Sequence, residues 1–95
     1  MGKVDSAMNK VEANQLLTER VEDLRGRPYS ELLRLMNTSE TTEIVGASGT
    51  RYQVETEVFW DDKSARNMRV VVSIDDFGWR SFVPLTFGFV KRPND

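Results

Sequence analysis

The sequence predicts an α+β fold, with two N-terminal helices packed on one face of a 4-5-stranded antiparallel meander sheet. Three observations predict it. Leu16, Leu17, Val21 and Leu24 recur at helical spacing, with Glu19, Arg20, Glu22, Asp23 and Arg25 between them. Residues 51–60 and 68–74 instead alternate, apolar against polar, at the period of two that marks half-buried strands. All of the helical signal precedes the strand signal, which separates this order from an alternating α/β chain.

Taken in order, the 95 residues make a single domain, 1–95. Residues 1–12 carry only a thin stripe of Val4, Met8 and Val11 and read as a flexible lead-in. Met1-Gly2 followed by Ser6 matches a loose acylation pattern. It lacks the second membrane signal that stable anchoring needs. Residues 13–37 are helical. Gly26, as a left-handed cap, and Pro28, lacking an amide hydrogen, end the first helix. Ser30 is placed to cap a short second helix over 31–37, whose Leu32, Leu33, Leu35 and Met36 require a cover.

The polar run 37–42 reads as a loop, and the antiparallel sheet occupies 43–90, opening with a short strand at 43–45. Gly46 and Gly49 supply the next turn. In the second strand Tyr52, Val54, Thr56, Val58 and Trp60 share a face; in the third Met68, Val70, Val72 and Ile74 do. The connection 61–67 has an odd number of residues, so pairing Trp60 with Met68 keeps even-numbered side chains together on the core side. Asp75-Asp76-Phe77-Gly78 fits a compact hairpin turn that sets Ile74 opposite Trp79. Residues 79–83 then form a fourth strand ended by Pro84, and 85–90 a fifth strand or an extended cover.

The same register populates the other face. Phe59 falls opposite Arg69, Glu57 opposite Val71 and Glu55 opposite Ser73, while Ser73 lies beside Arg80 and Val71 beside Phe82. Charges and apolar anchors therefore sit side by side, as a protein-binding surface requires. Phe77, at the tip of its turn, is a further exposed anchor. The candidate partner-binding residues are Glu55, Glu57, Phe59, Arg69, Val71, Phe77, Arg80 and Phe82. An ordinary solvated sheet face with cross-strand pairs would look similar.

Composition narrows the chemistry. With no cysteine and no histidine, disulfides, thiolate nucleophiles and the commonest general base and metal ligand are all absent. No metal site and no cofactor are expected, and Asp61-Asp62 and Asp75-Asp76 read as turn carboxylates. The small residues at 46–50 have the composition of a phosphate cradle but lack the lysine and following helix of a P-loop. The 13 basic and 15 acidic residues leave a net charge of −2, which argues against a phosphate-backbone binder. Trp60, Lys63, Arg66 and Arg69 nonetheless form a small aromatic-basic cluster suited to nucleic acid, opposed by Asp61 and Asp62. No apolar run is long enough to span a bilayer, so the sequence reads as cytoplasmic.

The segments Ser48-Gly49-Thr50-Arg51-Tyr52, Phe59-Trp60-Asp61 and Ser73-Ile74-Asp75-Asp76, with Gly78-Trp79-Arg80 after them, resemble a group of small uncharacterised bacterial proteins with SGxRY, FWD and SIDDGGWR-like segments. The resemblance covers the C-terminal half and implies a shared sheet and a bacterial origin, with no activity attached. Phe77 stands where those proteins carry a second glycine. The expected function is a non-enzymatic protein-protein interaction module, with self-association as one form of it. A nucleic-acid accessory protein and a small enzyme working through carboxylates and Arg80 are the alternatives.

Overall fold

Helix α1, Lys10–Arg25, buries Ala13, Leu17, Val21 and Leu24, a stripe spaced four, four and three along one face. The computed structural model describes residues 10–76 and 85–95. Residues 10–12, expected in a flexible lead-in, belong to α1. They are held there by contacts that Glu12 makes far along the chain. Gly26 does not take the left-handed conformation expected of it. The helix ends instead as the Gly26 and Arg27 amides bond to Glu22 and Leu24, before Pro28 stops it. Lys91, an almost buried cation, donates its Nζ to the Arg25 carbonyl at 3.1 Å and completes that helix end.

Helix α2, Tyr29–Leu33, is shorter than the expected 31–37 and is not capped by Ser30. The extended Pro28 precedes it and accepts the Glu31 and Leu32 amides with its carbonyl. Past Leu33 the chain tightens into three-residue bonds and then leaves the helix. Met36 bridges Val58, and Asn37, at φ 62°, donates its amide to the Val58 carbonyl at 2.9 Å. Pairing with the strand that carries Val58 thus replaces the last helical turn.

Four antiparallel strands follow in the order β1-β2-β3-β4: Ser39–Val45, Arg51–Asp62, Asn67–Asp75 and Leu85–Lys91. Strand β1 begins at Ser39 rather than residue 43. As an exposed edge strand it needs no apolar face, and Thr41 and Thr42 suit extended backbone. The β2–β3 connection shrinks to 63–66, because Asp62 pairs with Asn67 beyond an irregularity at Asp61. Trp60 still pairs with Met68, so the parity survives. Tyr52, Val54, Thr56, Val58, Met68, Val70, Val72 and Ile74 are all buried, under α1 and with Leu32 of α2 in the same core.

One expected pairing is overturned. Ile74 pairs with Leu85, Ser73 with Thr86 and Val71 with Gly88, where pairs with Trp79, Arg80 and Phe82 were expected. Two segments, 79–83 and 85–90, carried a strand signal for the same side of β3. The second prevails because it buries Phe89 against the core and brings Lys91 to α1. Residues 77–84, including the expected turn at Phe77 and the strand at 79–83, lie outside the described residues.

Candidate functional site

Both helices lie over the even-numbered face, and no element among the described residues covers the odd-numbered face of the sheet. Its side chains form cross-strand rows. Phe59, Arg69 and Val90 make one, and Ser39, Glu57, Val71 and Gly88 the next. Thr41, Glu55, Ser73 and Thr86 follow, then Glu43, Gln53 and Asp75. The three expected pairs across β2 and β3 are all present. Phe59 is 40% exposed, and Val71 and Val90 are half-buried beside it. Gly88 leaves a notch in this apolar strip, since a Cβ there would sit 2.9 Å from the Val70 carbonyl oxygen.

Charge is distributed unevenly over this surface. The Arg69 guanidinium pairs with Asp61 at 2.7 Å, and Arg51 pairs with Glu43, whose carboxyl is held below its usual range by that bond. Glu55 accepts the Ser39 hydroxyl at 2.9 Å. The Asp76 amide donates to Asp75 at 2.8 Å, a local turn bond. Glu55, Glu57 and Asp75 make no ion pair among the described residues. Glu57 and, beyond it, Glu55 lie along one side of the apolar strip, while Arg69, paired to Asp61, sits between Phe59 and Val90. Beside Glu57 and Phe59 the surface opens into a groove that Asn37, Thr38 and Ser39 complete.

The aromatic-basic cluster is arranged differently from what a phosphate groove needs. Arg66, at φ 60°, stacks 5.1 Å over the Trp60 ring, and its carbonyl accepts the Tyr29 hydroxyl at 2.8 Å. Asp62 accepts the Ser64 hydroxyl and the Ala65 amide, which hold its carboxyl below the usual range and build the turn. With Arg69 already paired to Asp61, Lys63 and Arg66 carry what basic character the loop retains. The remaining expected residues, Phe77, Arg80 and Phe82, lie outside the described residues. Val90, Gly88 and Thr86 complete the face in positions where sequence reasoning had placed others.

At the far end of the sheet the β1–β2 turn does hold an anion, and it is the chain's own. Glu12 accepts the Ser48 amide at 2.9 Å, the Ser48 hydroxyl at 2.6 Å and the Tyr52 hydroxyl at 2.7 Å. Ser48 first and Tyr52 second hold the Glu12 carboxyl below its usual range. Burial, and then Glu12, push the Tyr52 phenol up to about 12. Gly49, at φ 90°, shapes the turn, while Gly46 makes room: a Cβ on it would lie 2.5 Å from the Glu12 Cδ.

Among the described residues no three carboxylates converge as a metal site would require, and no helix is long and apolar enough to cross a membrane. No protein-family model matches the chain, and no curated protein or solved structure is significantly similar to it.

Proposed function

We propose that the chain is a non-enzymatic protein-protein interaction module whose uncovered sheet face receives a partner bearing lysine or arginine around an apolar contact. The observation that supports this most strongly is the strip of Phe59, Val71 and Val90 lying next to Glu57 and Glu55, carboxylates with no cation partner among the described residues. Apolar anchors give affinity, and unpaired charge gives orientation and partner choice. The same carboxylates would repel a phosphate backbone, which favours a protein over a nucleic acid. A chain without cysteine needs no oxidising compartment, which is compatible with the cytoplasm we propose for it.

The test compares wild-type protein with a Glu57→Lys, Phe59→Ser double variant as bait in its own host. Both side chains are exposed, so the thermal midpoint should hardly move. Partners captured by the wild type should be lost by the variant. Capture of the same partners at the same strength by both forms would refute the proposal, and a low-salt gel shift at micromolar protein would instead favour nucleic acid.

A further inference from the structure

We infer that strand β1 is a self-association edge, at which a second copy of the chain adds its own β1 antiparallel and joins two four-stranded sheets into one of eight strands. This does not rest on the outer-face reading and would stand if that failed. The ladder itself shows which groups are open. The Gly46 amide donates to the Thr50 carbonyl at 2.8 Å. Bonded and non-bonded pairs alternate along an antiparallel ladder, which makes residues 44, 42 and 40 the ones bonded to β2. The amides and carbonyls of Ser39, Thr41, Glu43 and Val45 therefore point away from the sheet. A strand edge of this kind is a template for another strand.

Edges are commonly guarded by proline, lysine, a bulge or an inward-pointing charge. Strand β4 has such a guard in Lys91, which points inward at its end. Strand β1 has no proline, glycine or lysine, and its seven residues pair with β2 without interruption. Each of its two carboxylates is paired within the chain, Glu40 with Arg20 at 3.0 Å and Glu43 with Arg51, so the charge they present at the edge is weakened but not removed. They guard the edge only weakly.

Only some registers suit two copies. Centring the two-fold axis on Thr42 sets Thr41 opposite Glu43 and Glu40 opposite Ile44 of the other copy, with Ser39 opposite Val45. No carboxylate then directly faces its twin. Shifting the axis to Glu43 would set like charges face to face, a destabilising pair. In the favoured register the open backbone groups at 41 and 43 bond each other, and Thr42 meets its twin at a close, non-bonded position. Val45, 64% exposed in one chain, and the half-buried Ile44 gain cover.

Sedimentation and a cysteine cross-link test this. The wild-type chain should sediment as a concentration-dependent dimer. Because the chain has no cysteine of its own, Thr42→Cys should give a disulfide-linked dimer on mild oxidation. Thr41→Pro removes an outward amide and should give a monomer with unchanged circular dichroism. Should that variant unfold, Thr41→Glu and Thr41→Lys decide the matter. Facing Glu43 of the other copy twice per dimer, glutamate should weaken and lysine should strengthen association, each by about two- to thirty-fold. A wild-type chain that stays monomeric up to about 1 mM, or a dimer indifferent to every substitution at Thr41, would overturn the proposal.

Discussion

Glu12 joins the first turn of α1 to a hairpin 36 residues later in sequence, and that contact makes Gly46 a required residue. Gly46→Ala should lower the urea midpoint of the wild-type chain and lower it less in a Glu12→Ala background, because the three atoms nearest the new methyl all belong to the Glu12 carboxylate. The two titrations have opposite signs. Glu12 has a depressed carboxyl, so its contribution is complete above the ordinary glutamate pKa and is lost as pH falls through the lower folded value. Tyr52 has a raised phenol, so its contribution is complete below pH 10 and is lost as pH rises through about 12. Phenolate absorbance should show Tyr52 ionising near pH 12. Glu12→Gln should bring the Tyr52 value down only part of the way, since burial is the larger cause. The turn at 46–50 was legible from its glycines. Its occupant was not, because no local pattern says which distant carboxylate will reach a set of amides.

Strands differ in how plainly their residues announce them, and burial is the reason. Strands β2 and β3 bury one face under helices, so Val54, Val58, Val70 and Val72 mark a period of two, and a slip by one residue would bury Glu55 and Glu57. Strand β1 buries almost nothing, and Ser39, Glu40, Thr41 and Thr42 look like loop residues for that reason. Competition, not a weak signal, hid the partner of β3: residues 85–91 take the edge that a tight turn at 75–78 would have given to Trp79. Gly88→Ala should destabilise this pairing, because the added Cβ meets backbone at 2.9 Å and β4 must shift; amide exchange should then speed up in β4 ahead of β2. Helix α2 is only five residues long, yet Leu32 is fully buried. Leu32→Ala should cost about 2–5 kcal/mol in a denaturant titration.

The described part of the molecule is long and thin, 54 × 22 × 16 Å, with a radius of gyration of 14.9 Å against about 12 Å for a typical globular chain of similar length. A single sheet with helices on one side has that shape, and it leaves one broad surface to solvent. Composition foretold the acidity of that surface only in general. Its arrangement followed once Arg69 and Arg51 were seen to be paired, leaving Glu55 and Glu57 around Phe59. The proposed interaction face depends on the odd-numbered side chains of β2 and β3 being open, whereas the β1 edge rests on backbone groups of β1. Single cysteines at 54, 57, 58, 59, 70 and 71, in a chain that has none, can be timed against a soluble thiol reagent. Those at 57 and 59 should react almost as fast as in the urea-unfolded chain and that at 71 more slowly, while those at 54, 58 and 70 should stay protected until unfolding. Fast labelling at 54, 58 and 70 with protection at 57 and 59 would contradict the placement of the core and the proposed interaction face with it.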